Sequence, residues 1–91
     1  MKTVIITGTS SGIGLELVKI FDSKGFNVIS LSRNNLPNSI SFSENVNHIK
    51  FDITKDSNIK SLVDTLKIEY KEIHILINNA GKLINKSFEN F

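Results

Sequence analysis

The sequence predicts an α/β fold, a doubly wound parallel sheet of four strands in the order 3-2-1-4, and three observations lead to it. Short β-branched, apolar runs alternate with segments whose apolar residues recur at helical spacing. A glycine-rich turn follows the first of these runs. The chain has 91 residues, of which 40% are hydrophobic, which is enough for one compact domain. Crossovers between strands imply parallel pairing with right-handed connections, and this rule gives the strand order.

The first half of the chain predicts two strands and one helix. The first strand covers residues 2–7, the first helix runs from residue 13 to about residue 24, and the second strand covers residues 27–32. Residues 34–45 are rich in Asn and Ser and predict a loop with at most one helical turn. The helix is expected to bury a stripe that consists of Ile13, Leu17, Val18, Ile20 and Phe21.

The second half predicts a strand, a helix and a further strand. Residues 46–51 alternate between apolar and polar and predict the third strand, and residues 73–78 predict the fourth. Between them, Asp56 or Ser57 can cap a helix that ends at about Tyr70. Its buried face is expected to consist of Ile59, Leu62, Val63, Leu66 and Tyr70. The two helices should cover opposite faces of the sheet.

Composition and charge exclude several classes of protein. The net charge is +2, and the 11 basic residues are scattered, so no nucleic-acid partner is expected. The sequence has no Cys, and His48 and His74 have no second ligand at metal-binding spacing, so no metal site is expected. Each of these two residues is predicted to be a surface or hydrogen-bonded histidine. No segment approaches the ~20 apolar residues of a membrane helix, and residues 4–6 are too short for a signal peptide, so the expected location is the cytoplasm.

Three glycines, Gly8, Gly12 and Gly14, stand between the first strand and the first helix. A tight reversal favours residues without Cβ, and the bared backbone lets a phosphate approach the N–H groups at the helix N-terminus. The spacing G-x-x-x-G-x-G differs from G-x-G-x-x-G and from the P-loop, which needs a Lys after its second glycine. The segment therefore predicts a phosphate-binding turn, and the alternative is a plain Ser/Gly turn that caps the helix.

Three motifs, in order along the chain, resemble those of one protein family. Residues 7–14 (TGTSSGIG) are similar to the signature T-G-x-x-x-G-I-G, residues 52–54 (DIT) follow the third strand, and residues 78–81 (NNAG) are similar to an N-N-A-G motif. On these motifs the chain resembles the short-chain dehydrogenase/reductase family over essentially its whole length. The resemblance implies a Rossmann-like fold, in which residues 1–91 form the N-terminal part of a single NAD(P)-binding domain.

The end of the second strand predicts which cofactor is bound. In this fold an acidic residue there holds the ribose 2′-OH of NAD and would repel a 2′-phosphate. Here Ser32 is followed by Arg33, and a guanidinium can contact a phosphate through two N–H groups. We therefore expect NADP to be preferred over NAD. The alternative is that Arg33 is an ordinary solvated arginine in a turn.

The resemblance also implies contacts of individual residues with this dinucleotide. Residues 9–11 and Ile13 would line the phosphates, and residues 79–80 would pack against the adenine ribose. Asp52 would accept a hydrogen bond from the adenine amino group, or else it is a simple turn former, whereas Asn78 would tie neighbouring strands together. The residues expected to bind the cofactor are Gly8, Thr9, Ser10, Ser11, Gly12, Ile13, Gly14, Ser32, Arg33, Asp52, Ile53, Asn79, Ala80 and Gly81.

No catalytic residue is expected within the chain. On this resemblance the family's Ser and its Tyr-x-x-x-Lys pair lie beyond residue 91, and His74 stands where a Lys would have to follow Tyr70. The chain alone is therefore expected to be inactive and to be the N-terminal piece of a longer reading frame or its decayed product. The fourth strand would then be an apolar edge through which the chain could self-associate.

Three functions are consistent with these observations. The leading one is the NADP(H)-binding portion of an oxidoreductase that, when complete, transfers hydride between NADP and a carbonyl or alcohol. The second is a non-catalytic nucleotide-binding or regulatory module. The third is a Rossmann-like protein with an unrelated small-molecule ligand.

Overall fold

A computed structural model of the chain describes residues 1–52 and 56–79. Its elements are, in chain order, β1 Thr3–Thr7, α1 Gly12–Ser23, β2 Asn27–Ser32, β3 Val46–Lys50, α2 Asp56–Tyr70 and β4 Ile75–Ile77. The four strands are parallel and pair in the order β3-β2-β1-β4, which confirms the predicted strand order.

Strand β1 lies inside the sheet and is buried at all 5 positions. Because both faces of an inner parallel strand are covered, its sequence is a continuous β-branched run rather than an alternation with charged residues. Successive side chains point to opposite faces, so Val4 and Ile6 pack with Val18 of α1, whereas Ile5 packs with Leu66 of α2. The two helices therefore cover opposite faces, as predicted.

Parallel pairing brings the carboxyl ends of the strands to one edge of the sheet, called the carboxyl edge below. Thr7 of β1 pairs with Leu31 of β2, and Ser32 pairs with Lys50 of β3. The segments that follow these strands therefore leave the sheet side by side.

Two residues of the predicted α1 stripe are exposed, and this part of the prediction was wrong. Ile13 is 71% exposed and Ile20 is 46% exposed. The buried side of the helix is centred on Gly14 and Val18, four residues apart, whereas the two isoleucines, seven residues apart, lie together on a side that is turned away from it. A glycine adds nothing to an apolar pattern, so the spacing of large side chains alone misplaces the stripe.

Element boundaries differ from the prediction most at β4, which is shorter than residues 73–78. Lys71, directly after α2, has φ of 62° in the left-handed region and reverses the chain there. His74 then donates its backbone N–H to the Thr3 carbonyl oxygen at 3.0 Å and leads into β4. Residues 34–45, which the structure describes completely, contain turns and no helical turn.

No helix within residues 1–52 and 56–79 is long and apolar enough to cross a membrane. The same two ranges contain no group of three or more metal-ligating side chains that could hold an ion.

Candidate functional site

The turn between β1 and α1 depends on glycine conformations. Gly8 has φ of 67° and Gly12 has φ of 62°, both in the left-handed region that side chains disfavour. Gly8 also donates its N–H to the Leu31 carbonyl oxygen at 2.9 Å, which extends the β1–β2 pairing by one residue. These two glycines therefore set the course of the turn.

Gly14 and Gly12 have opposite surroundings. A Cβ at Gly14 would overlap the Gly8 carbonyl oxygen and come within 2.7 Å of the Asn79 Nδ2 atom. By contrast, among the described residues a Cβ at Gly12 would meet nothing within 4 Å. The turn is thus packed against the protein at Gly14, while its backbone at Gly12 faces open space.

Helix α1 begins at this turn, with Ser11 as its N-cap residue. Ser11 has extended backbone, with φ of −160° and ψ of 172°, and its side chain makes no capping hydrogen bond. The first turn of α1 contains no acidic residue. The first N–H groups of a helix lack intrahelical acceptors, and the helix dipole is positive at this end. This arrangement can accept an anion such as a phosphate.

Ser32, Arg33 and Asn34 form a turn at the carboxyl end of β2, called the Ser32–Asn34 turn below. Ser32 is buried, and its hydroxyl donates to the Asn34 carbonyl oxygen at 2.6 Å. Phe51 donates its backbone N–H to the Ser32 carbonyl oxygen at 2.8 Å and fixes the start of the turn. Arg33 is exposed, so its guanidinium is the accessible charge of this turn.

The end of β4 is hydrogen-bonded to β1 and to the glycine turn. The Thr7 hydroxyl donates to Asn78 Oδ1 at 3.0 Å and accepts the Asn79 backbone N–H at 2.9 Å. Asn79 Nδ2 donates to the Gly8 carbonyl oxygen at 3.2 Å. Asn78 therefore ties neighbouring strands, as the resemblance described above implies, and the Asn79 side chain supports the glycine turn.

Thr9 faces the interior of the protein. Its side chain is fully buried, and its hydroxyl lies 2.7 Å from Ser30 Oγ and 3.4 Å from the Leu31 carbonyl oxygen. Its backbone is therefore the part of this residue that a ligand at the turn could contact.

Most of the residues that the sequence assigns to a site lie together at the carboxyl edge: Gly8, Thr9, Ser10, Ser11, Gly12, Ile13, Gly14, Ser32, Arg33 and Asn79. Asp52 follows β3 at the same edge and is half-buried. The predictions for Ile53, Ala80 and Gly81 lie outside the described residues.

Sequence reasoning missed the part that Ser30 and His48 play beside this site. His48 is the hydrogen-bonded histidine that the sequence allows, with Nδ1 at 2.8 Å from Ser30 Oγ and Nε2 at 2.9 Å from the Asn34 carbonyl oxygen. The signal in the sequence is a serine in the middle of an apolar strand. The partner of this serine can be identified only from the β2–β3 register, which pairs Ser30 with His48.

Comparison with known proteins gives a match over nearly the whole chain. The sequence matches the family described as short chain dehydrogenase over residues 2–91. A (21S)-21-acetoxyl-apo-melianone synthase from Melia azedarach is 38% identical over 90 residues, which make up 96% of this chain and 33% of that protein. The chain spans about a third of the length of the curated relatives it matches.

Solved structures are similar over the same extent. A short chain dehydrogenase from Leptospira borgpetersenii with bound NAD+ superimposes with a TM-score of 0.79 at 36% identity, over 99% of this chain and 35% of that one. A 4-hydroxyisoleucine dehydrogenase complexed with NADH gives a TM-score of 0.76 at 31% identity, over 98% of this chain and 37% of that one.

Proposed function

Because the chain belongs to the short chain dehydrogenase family, we propose that its carboxyl edge binds a nicotinamide dinucleotide and prefers NADP to NAD. The observation that carries this proposal is the glycine turn at the start of α1, open at Gly12, on the same edge as the exposed Arg33. The chain would then be the NADP(H)-binding portion of an oxidoreductase that, when complete, acts on a carbonyl or alcohol.

The glycine turn is proposed to hold the diphosphate of the cofactor. The backbone N–H groups at the start of α1 would donate to phosphate oxygens, and the positive end of the helix dipole would favour their charge. Gly12 has no side chain to fill the space in front of these groups. Ser10 and Ser11, which lie between the two left-handed glycines, would add hydroxyl and backbone contacts.

The Ser32–Asn34 turn is proposed to hold the 2′-phosphate that distinguishes NADP from NAD. The Arg33 side chain is exposed there, and a guanidinium can donate two parallel hydrogen bonds to one phosphate group. No acidic residue stands at positions 32–34 to repel a second negative group. Ser32 would act by shaping the turn, since its hydroxyl is used by the Asn34 carbonyl oxygen.

The adenine and its ribose are proposed to lie between the segments that follow β3 and β4. Asp52 would accept a hydrogen bond from the adenine amino group, beside the Ile53 backbone. Residues 79–81 would pack against the ribose. The bound cofactor would supply hydride exchange at its nicotinamide, while the residues of this chain would bind and orient its other end.

A binding titration tests the proposal. Isothermal titration of the 91-residue chain with NADP and with NAD should give tighter binding of NADP. Replacement of Arg33 with alanine should weaken NADP binding at least about tenfold, since a hydrogen bond to a charged group is worth about 1.5–3 kcal/mol, and should change NAD binding less than about twofold.

The matched control is Lys2→Ala, which removes the same charge from an exposed residue next to the amino-terminal end of β1, opposite the carboxyl edge. It should leave the affinities for both cofactors unchanged. Tighter binding of NAD, or an unchanged NADP affinity in Arg33→Ala, would reject the preference for NADP. A chain that binds neither cofactor would reject nucleotide binding as a whole.

A further inference from the structure

A chain of polar groups runs beneath the carboxyl edge and connects the glycine turn with the Ser32–Asn34 turn. The Thr9 hydroxyl lies 2.7 Å from Ser30 Oγ, which lies 2.8 Å from His48 Nδ1. On the other side of the imidazole ring, Nε2 lies 2.9 Å from the Asn34 carbonyl oxygen. Thr9 and Ser30 are both 0% exposed. The two turns proposed to bind phosphate groups are thus linked inside the protein.

Because Ser30 is buried, its hydroxyl needs hydrogen-bond partners within the protein. Ser30 stands in a strand whose neighbours Ile29 and Leu31 belong to the apolar core. A buried hydroxyl destabilises a protein unless it is hydrogen-bonded, and His48 and Thr9 meet this need. Among the described residues, no buried side-chain nitrogen or oxygen is without a hydrogen-bond partner.

The chemistry of the partners fixes one proton of the His48 ring. A carbonyl oxygen can only accept, so His48 Nε2 must carry the hydrogen that is directed at Asn34. The same carbonyl oxygen also accepts the Ser32 hydroxyl at 2.6 Å. Two donors, one from β2 and one from β3, therefore hold the end of the Ser32–Asn34 turn.

Arg33 lies between the two residues that are held in this way. Its neighbours Ser32 and Asn34 are joined to each other and to β3, whereas its own side chain is exposed. A fixed backbone limits the directions in which the guanidinium can extend. Such preorganisation strengthens binding because less conformational freedom is lost when the ligand arrives.

We propose that His48 is a positioning residue, which holds the Asn34 carbonyl oxygen so that Arg33 meets a phosphate on the 2′ carbon of adenosine. This inference rests on the proposed function, because it names a residue that sets the NADP preference without contact with the cofactor. The link through Ser30 to Thr9 fixes His48 relative to the glycine turn.

Two conservative substitutions distinguish the hydrogen bond of His48 Nε2 with Asn34 from that of Nδ1 with Ser30. In His48→Gln the side-chain amide nitrogen reaches about as far as Nε2 and can still donate to Asn34. In His48→Asn the shorter amide reaches only the Nδ1 position, so the bond with Ser30 is kept and the bond with Asn34 is lost. The probes are adenosine 2′,5′-bisphosphate and adenosine 5′-monophosphate, which differ only in the 2′-phosphate.

We expect His48→Asn to weaken binding of the bisphosphate about five- to tenfold, the equivalent of one hydrogen bond, and to change binding of the monophosphate less than about twofold. His48→Gln should keep most of the preference for the bisphosphate. If His48 only stabilised the fold, His48→Asn would weaken binding of the bisphosphate and of the monophosphate to the same extent. Equal losses for both probes, or no loss in His48→Asn, would overturn the inference.

Nitrogen-15 NMR of the His48 ring in the unsubstituted chain gives a second measurement that needs no variant. Nε2 should carry a hydrogen, and a ring with its hydrogen on Nδ1 alone would overturn the inference. If the unsubstituted chain does not prefer the bisphosphate, the NADP proposal fails and this inference falls with it. If the preference exists but is unchanged in His48→Asn, only the role of His48 is rejected.

Discussion

The carbonyl oxygen of Gly8 occupies the space that a side chain at Gly14 would need. The first turn of α1 therefore rests directly on the backbone of the preceding turn. The Asn79 amide, which donates to the same Gly8 oxygen, closes this contact from the side of β4. One backbone oxygen thus joins β1, α1 and the end of β4.

Replacement of Gly14 with alanine should strongly destabilise the chain. The added methyl group would meet a backbone carbonyl, which cannot move aside as a flexible side chain can. Overpacking of this kind costs about 3 kcal/mol, a large part of the total stability of a chain of this length. Urea unfolding followed by circular dichroism measures the loss. A stability within about 0.5 kcal/mol of the unsubstituted chain would show that α1 can move away from the turn without loss.

Replacement of Gly12 with alanine should impair nucleotide binding beyond its effect on stability. Gly12 and Gly25 both have left-handed φ, and a Cβ at either would meet none of the described residues, so each alanine should lower stability by about 1–2 kcal/mol. Gly25 follows the other end of α1 and serves as the matched control. Calorimetric titration with NADP should show weaker binding in Gly12→Ala alone. Equal affinities in the two variants would argue against a phosphate at the glycine turn.

Replacement of Thr7 with valine should loosen the end of β4. The isosteric change removes the hydroxyl that donates to Asn78 and accepts from Asn79, which should cost about 2 kcal/mol. Thr65→Val, on the exposed face of α2, is the matched control and should change stability by less than about 0.5 kcal/mol. Amide hydrogen exchange at residues 75–79 should accelerate in Thr7→Val only. Unaltered exchange there would mean that the hydroxyl does not hold the strand.

The outer edge of β4 should allow the chain to self-associate. In the part of the chain that the structure describes, β4 is the last strand of the sheet, and an edge strand can pair with a second chain. We expect the sedimentation coefficient of the 91-residue chain to rise with protein concentration. Ile68→Lys, which replaces an 83% exposed apolar residue on α2, should leave this rise unchanged. A monomer at every concentration, or loss of association in Ile68→Lys, would contradict the prediction.

The strand order and the opposite placement of the helices could be predicted because they follow from periodicity and from the crossover rule. Ile13 and Ile20 could not be placed correctly in the same way. The side of α1 that carries Gly14 and Val18 is buried, with Gly14 against the Gly8 carbonyl oxygen, and the two isoleucines lie on another side of the helix. A pattern of large apolar residues carries no information about such a close approach.

The glycine turn of the candidate site could be predicted from the sequence, whereas its internal support could not. Gly8 and Gly12 have the left-handed conformations that glycine permits, between the expected strand and helix. The hydrogen bonds of His48 depend on the register of two strands and on the course of the Ser32–Asn34 turn. Short-range sequence patterns predict neither the strand register nor the course of this turn.

The place of β4 in the sheet has a consequence for folding kinetics. Thr3 is hydrogen-bonded to Asn27, which lies 24 residues away in the sequence, and to His74, which lies 71 residues away. Closing the longer loop costs about 1 kcal/mol more in chain entropy, so we expect β1, α1 and β2 to assemble before β4 docks. The bond between Asn79 and Gly8 would then form only as β4 docks, late in folding. An anion that binds only the completed turn should therefore slow unfolding and leave the rate of folding nearly unchanged.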